Sequence, residues 1–247
     1  MVVTGGSRGI GLMIARGFVQ AGAAVIISSR KAEPCVQAAA ELSLEGTCIA
    51  YPADLSTAAG IASLVEKIRA TTGSLDVLVN NAGATWGAPV EDYPDEAFDK
   101  VFNVNVKAVF ALTTKLLPEL RAAASLDSPA RIINIGSVDG LTVSSTDNYA
   151  YGASKAAVHM LTRKLAARLA AEHITVNAIA PGPFPTKMMA FVLDDPELEK
   201  QVAESIPLGR IGTPEDVAGT AIFLASRAGA YLTGAVIPVD GGRVNAR

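Results

Sequence analysis

Thr4-Gly5-Gly6-Ser7-Arg8-Gly9-Ile10-Gly11 stands between a short apolar run and a helical one. Glycines in such a place let the backbone turn sharply and approach a bound anion closely. The helix expected next, over 8–20, offers unpaired N–H groups and the positive end of its dipole to that anion. In the order strand, glycine turn, helix, the stretch reads as the phosphate-cradling corner of a dinucleotide-binding α/β sheet.

The rest of the chain repeats that order. Apolar, β-rich runs fall at 1–3, 24–28, 47–51, 75–80, 131–135, 175–180 and 236–239. Most are continuously apolar, as in strands covered on both faces. Helix-length segments fill the gaps at 8–20, 34–44, 58–71, 95–123, 149–172 and 214–226. Alternation of this kind predicts parallel strands joined by right-handed crossovers. The expected fold class is α/β, a doubly wound sheet of about seven parallel strands flanked by helices. No linker, repeat or low-complexity run interrupts it, so one domain is expected over 1–247. The first strand is short, which predicts either a strand that begins at the terminus or a truncated chain.

Composition narrows the function classes. Apolar residues make up 50% and charged residues 18%, which excludes disorder and implies a surface partly covered by self-association. Basic and acidic residues number 21 and 24, so no excess of positive charge is present to hold nucleic acid. Cys35 and Cys48 fit neither a zinc site nor a redox pair and read as reduced thiols. No leader peptide and no apolar stretch of membrane-spanning length is visible, so a cytoplasmic protein is expected. His159 and His173 are too far apart for a helical metal pair, and no metal is expected.

A second constellation carries chemistry. Tyr151 and Lys155 stand four apart on an expected helix and therefore share a face. A phenol can protonate the alkoxide formed when hydride reaches a carbonyl, and a nearby ammonium stabilises the phenolate. Tyr149 lacks this partner, since position 153 is alanine. Ser137 ends an apolar strand, where such sheets place their ligands.

The glycine spacing, Asn80-Asn81-Ala82-Gly83, Asn105, Ser137, Tyr151-Gly152-Ala153-Ser154-Lys155 and Pro181-Gly182 occur in an order that resembles the short-chain dehydrogenase/reductases along essentially the whole chain. The resemblance implies a Rossmann-type fold and a catalytic set of Asn105, Ser137, Tyr151 and Lys155. In it Ser137 binds the substrate oxygen, Tyr151 is the acid/base, Lys155 tunes it and holds the nicotinamide ribose, and Asn105 anchors a water-linked proton relay. It also implies cofactor contacts from Gly5, Ser7, Arg8, Gly9, Ile10, Gly11, Asp54, Leu55, Asn81, Ala82, Gly83, Tyr151, Lys155, Pro181, Gly182 and Thr186. The second strand ends Ile26-Ile27-Ser28-Ser29-Arg30-Lys31, without the acid that usually receives the ribose hydroxyls of NAD. Arg30, with Arg8 opposite, suits a 2′-phosphate and points to NADP(H).

Substrate contacts are expected from Thr85 and Trp86 and from 183–192, where Phe184, Met188, Met189 and Phe191 either form an apolar lid or pack the segment down. Stretches such as Thr85-Trp86-Gly87-Ala88, Asn134-Ile135-Gly136-Ser137 and Gly229-Ala230-Tyr231 resemble β-ketoacyl-acyl-carrier-protein reductases of the rhamnolipid type. That implies reduction of a 3-oxoacyl thioester, with an acyl carrier protein as partner docking on Arg163, Lys164 and Arg168. Two other readings stay open. One is an NADP-linked carbonyl, polyol or steroid dehydrogenase; the other is a dinucleotide-binding sensor without turnover. A stripe of Ala153, Ala156, Ala157, Met160, Leu161 and Leu165 reads as core or subunit interface, and the family resemblance implies a homodimer or homotetramer. The acidic stretch 194–199 reads as a solvated helix start.

Overall fold

The computed structural model describes residues 1–244. Its first half runs β1 (Val2–Thr4), α1 (Gly9–Gln20), β2 (Val25–Ser28), α2 (Ala32–Leu42), β3 (Cys48–Ala50), α3 (Ala58–Thr71) and β4 (Val77–Asn80). Then follow α4 (Asp95–Phe102), α5 (Ala108–Lys115), α6 (Leu117–Ala123), β5 (Ala130–Ile135), α7 (Tyr149–Leu169) and β6 (Ile174–Pro181). The last elements are α8 (Ala190–Leu193), α9 (Pro196–Glu204), α10 (Pro214–Ala225) and β7 (Val236–Val239). The strands form one seven-stranded sheet in the order β3-β2-β1-β4-β5-β6-β7, and every pairing is parallel. The strand order reverses between β1 and β4, which opens a crevice at the carboxyl ends of these strands.

The two-residue period of a strand explains the continuously apolar runs. Val2, Ile26, Leu78 and Ile132 point to one layer, against Ile61, Leu64, Leu112 and Leu165. Their neighbours Val3, Ile27, Val79 and Ile133 point to the other, against Ile14, Phe18, Leu42 and Leu224. A single row of apolar residues thus fills two cores. Although β1 has only three residues, all are buried and it pairs with β2 and β4 on both sides. Cys35 is buried, Cys48 is half-buried, and both are free thiols.

One expectation needs correction and a second, core or subunit interface for the α7 stripe, is resolved in part. The helix expected over 95–123 is three helices. A π-helical turn over Asn103–Lys107 separates α4 from α5. A second break falls at Leu116, just before Pro118, which has no N–H to continue a helical ladder. The expected apolar stripe on α7 is also divided. Leu165 is in the core, but Met160 is 54% exposed and Ala153 and Ala156 are exposed as well. The buried face of α7 instead carries Ser154, Lys155, Val158, His159 and Thr162. The acidic stretch does start a helix: Asp195 caps α9, accepting from the amides of Glu197 and Leu198 at 2.9 and 3.3 Å.

Arg131 is a charged residue on a central strand, 4% exposed. Its guanidinium donates to the carbonyls of Leu224 at 3.1 Å, Ser226 at 3.2 Å and Pro129. It therefore caps the negative end of α10 from inside the sheet. Arg131→Met keeps the apolar stem but strands buried carbonyls, at a cost of about 3 kcal/mol. Thermal unfolding should show Tm lower by roughly 5–10 °C for a chain of this size. An unchanged Tm would exclude the cap as a stabilising feature. Among the described residues, no helix is long and apolar enough to cross a membrane.

Candidate active site

The glycine turn is shaped by what it leaves out. Gly5 and Gly9 have φ of 65° and 55°, the left-handed region that L side chains avoid. A Cβ at Gly11 would run into the Gly5 carbonyl and the Asn81 side chain. Asn81 is the clamp that makes the turn tight: its Nδ2 donates to the carbonyls of Thr4 at 2.8 Å and Gly5 at 3.2 Å. Thr4 fastens the other side, where its Oγ1 accepts from the amides of Asn81 at 2.9 Å and Ala82 at 3.0 Å. The sequence reading did not assign Thr4, because its role depends on a strand 77 residues away. The N-terminus of α1 has no side-chain cap, and leading amides of that kind suit an anion. Arg8 is exposed at that end, Ser7 and Ile10 are half-buried, and the Thr186 methyl lies 3.3 Å from where a Cβ at Gly9 would be. Bare backbone, an open helix end and a nearby cation fit a pyrophosphate.

At the far end of the crevice, Gly6 donates to the Ser28 carbonyl at 3.1 Å and so fixes the exit of β2 against the turn. Arg30 is exposed just beyond it. The Asp54 carboxylate accepts from the hydroxyl and amide of Ser56 at 2.7 and 3.0 Å. Those bonds, aided by the charge of Arg30, hold Asp54 below the usual carboxylate range. Arg30 and Asp54 therefore flank one place, and Leu55 is buried in the same core layer that Ala82 packs against. Pro181 ends β6, and Gly182 donates to the Val239 carbonyl at 2.9 Å while backing onto Asp240.

The opposite end gathers the remaining expected residues. Ser137 caps a 3₁₀ turn over Val138–Gly140, its hydroxyl accepting from the Asp139 amide at 3.1 Å. The Tyr151 phenol lies near enough to the same hydroxyl to feel it electrostatically. Lys155 is 5% exposed; its Nζ donates to the Ile135 carbonyl at 2.8 Å and lies 5.4 Å from the centre of the Tyr151 ring. Burial pushes the Tyr151 phenol up to about 12, against the influence of the Ser137 hydroxyl and with help from the Asp139 charge. Burial also pulls Lys155 down to about 8, with Asp139 opposing. A Cβ at Gly83 would lie 3.4 Å from Asn105 Oδ1 and 3.8 Å from Lys155 Nζ, so Gly83 leaves this corner open.

Asn105 lies in the π-helical turn, where such turns often mark functional sites. Its Oδ1 accepts from the Ala84 amide at 2.8 Å, and its Nδ2 donates to the Ala84 carbonyl and to Ser154 Oγ, both at 2.9 Å. Ser154 Oγ in turn donates to the Tyr151 carbonyl at 2.7 Å. Asn105 thus ties the segment after Gly83 to the helix that carries Tyr151. Ser154 is the link the sequence reading passed over. Asp139 was missed as well; its carboxylate, held by Asn148 Nδ2 at 3.1 Å, acts on both Tyr151 and Lys155. Tyr149 turns away and donates to Asp147 at 2.9 Å.

Phe184 is not a mobile lid residue: it is 3% exposed, and a Cβ at Gly212 would clash with its ring. Val192 is buried too, so both ends of 183–192 are packed down, whereas the side chains of Met188 and Phe191 lie outside the described residues. Of the basic trio on α7, Arg168 is paired with Glu172 at 3.0 Å, and Glu172 is shared with Arg121 at 2.6 Å. Among the described residues, no group of three His, Cys, Asp or Glu could hold a metal ion.

These features meet known proteins at full length. The family model for enoyl-(acyl carrier protein) reductases matches residues 5–243. A rhamnolipids biosynthesis 3-oxoacyl-[acyl-carrier-protein] reductase of Pseudomonas aeruginosa is 52% identical over 241 residues, covering 98% of this chain and 94% of its own. A 3α-hydroxysteroid dehydrogenase of Mediterraneibacter gnavus is 35% identical over 251 residues, covering 97% and 94%. The solved Pseudomonas aeruginosa RhlG/NADP active-site complex superposes with a TM-score of 0.95 at 52% identity, covering 98% of this chain and 94% of that one. Sheet order, glycine turn and the tyrosine–lysine helix agree with this likeness from one end of the chain to the other, and the chain belongs to the short-chain dehydrogenase/reductase family.

Proposed function

We propose that the chain is an NADP(H)-dependent oxidoreductase that interconverts a carbonyl and a secondary alcohol, with a 3-oxoacyl thioester as its substrate in the reductive direction. One observation carries the reading: Lys155 is buried with its Nζ 5.4 Å from the centre of the Tyr151 ring and beside Gly83, at the end of the strand that leads into Ser137. NADPH, when bound, supplies the hydride. Ser137 and Tyr151 then act together on the substrate oxygen. Both donate to it, which polarises the carbonyl, and Tyr151 hands over its proton as negative charge develops there. Lys155 steadies the phenolate left behind and would help to hold the nicotinamide ribose. A phenol displaced toward about 12 is still a far stronger acid than an alkoxide's conjugate alcohol, so proton donation is favoured.

The likeness to two 3-oxoacyl reductases, the Pseudomonas protein and a 38% identical FabG of Thermotoga maritima, supports the thioester. Docking of an acyl carrier protein is assigned to Arg163, Lys164 and Arg168, the last of them exposed and only weakly held by Glu172. Exposed Met160 and Phe110 support a homodimer or homotetramer. A panel of acetoacetyl thioesters, ethyl ketoesters and secondary alcohols, followed by NADPH oxidation or NADP⁺ reduction, tests the substrate class. Acetoacetyl thioesters should give the highest kcat/KM. A steroid or simple alcohol turned over faster would assign the chain to the ketone and alcohol dehydrogenases instead.

A further inference from the structure

His159 is a buried titratable group that the reaction above does not use. It stands one turn beyond Lys155 on α7 and is 3% exposed. Its ring is in contact with the turn that bears Ser137, at both of that turn's ends. A Cβ at Gly136 would collide with Nε2 and lie 2.7 Å from Cδ2; a Cβ at Gly140 would lie 2.7 Å from the α7 backbone at Lys155 C and Ala156 N and 2.8 Å from Cε1. Gly136 and Gly140 bracket Ser137, and the turn between them is closed by the Gly140 amide on the Ser137 carbonyl at 3.1 Å. Gly136 therefore rests on the ring itself and Gly140 on the ring and the α7 backbone together, and only residues without a Cβ can come so close.

We propose that His159 is a positioning residue: its imidazole is the seat of the Ser137 turn and sets the Ser137 hydroxyl against Tyr151 and Lys155, which share its helix. The inference rests on the reading of those three residues as the site of the reacting oxygen. A planar ring is thin enough for both segments to approach its edge. A branched aliphatic side chain of similar volume would hold them further apart. Burial pushes the imidazole down to about 4; the Gly140 backbone opposes this, and the charges of Lys155 and Arg163 reinforce it. The seat is therefore neutral at pH 7 and adds no positive charge beside Lys155.

Three variants test this in the full-length protein: His159→Ala, Gly136→Ala and the two combined, with His159→Gln kept in case the alanine variant does not fold. Expected for His159→Ala is a kcat lower by about 10- to 100-fold, as for a small misplacement of a reacting group, with the Kd for NADPH within about 2-fold of wild type. Amide hydrogen exchange at 139–142 should speed up by about 10-fold or more while the rest of the sheet is unchanged. His159→Gln should fall between. Gly136→Ala should be the most damaged, and adding His159→Ala should raise its kcat by making room. Exchange at 139–142 unchanged in both His159 variants would overturn the proposal, as would a double variant no better than Gly136→Ala alone. If the wild type turns over no carbonyl, the oxidoreductase reading falls, and the exchange data still decide whether His159 seats the turn.

Discussion

Tyr151→Phe is expected to lower kcat for carbonyl reduction by about 10³-fold or more, equivalent to about 4 kcal/mol of barrier. The substitution removes one hydroxyl and keeps the ring, so the packing over Lys155, 5.4 Å from the ring centre, is retained. What is lost is the proton donor beside Ser137. Ser137 alone can polarise the carbonyl but is too weak an acid to replace the phenol. Lys155 and the glycine turn are untouched, so the Kd for NADPH, read by fluorescence titration, should stay within about 3-fold of wild type. Near-normal turnover would remove Tyr151 from the mechanism. The pH dependence has a defined sign. Lys155 is pulled down to about 8, so its ammonium is present below that pH and is lost as the pH rises through it. The kcat/KM for reduction, which reports groups of the free protein, should therefore fall on the alkaline side of about 8. Lys155→Met should abolish that limb along with most of the rate.

The parts of this site that were legible in the sequence are those made by local rules. Gly5 and Gly9 announce a turn because only glycine enters the left-handed region freely, and Tyr151 and Lys155 announce a shared face because a helix repeats every 3.6 residues. The sheet was legible for a similar reason: runs such as Val77, Leu78 and Val79 are apolar on both faces. What was not legible depends on partners far along the chain. Ser154 matters because Asn105, 49 residues away, donates to it, and nothing near Ser154 reports that. The buried row Thr113, Asn80, Asn134 and Thr162 is joined by bonds of 3.1, 2.9 and 2.9 Å across two helices and two strands, yet each member alone looks like a polar residue in an apolar run. The division of α7 escaped for the opposite reason. Its polar residues face inward at the site while alanines and Met160 face out, which inverts the usual amphipathic pattern. Phe184 was ambiguous because an apolar side chain in a loop reads alike whether it packs or swings, and the space kept by Gly212 settles it as packed.

Arg30→Asp should reverse the choice of cofactor. In the wild type, kcat/KM with NADPH is expected to exceed that with NADH. The exit of β2 is fixed to the glycine turn by the Gly6–Ser28 bond of 3.1 Å, which places position 30 just past the ribose end of the crevice. A guanidinium there meets a 2′-phosphate with a planar, charge-assisted pair worth about 1.5–3 kcal/mol, or roughly 10- to 150-fold in binding. Arg30 is exposed, so the gain belongs at the lower part of that range and should shrink as salt is added. Aspartate removes this attraction and repels the phosphate. It also restores the acceptor that an unphosphorylated ribose needs. The expected result is a loss of about 10²-fold with NADPH and a gain of several-fold with NADH, measured as the ratio of kcat/KM values. Arg30→Ala should give the loss without the gain, because it supplies no acceptor. Arg8→Ala, at the exposed end of α1, should weaken NADPH by less, since the open amides of that helix still hold the pyrophosphate. A wild type that prefers NADH, or an Arg30→Asp variant with an unchanged ratio, would show that the basic exit of β2 does not read the phosphate.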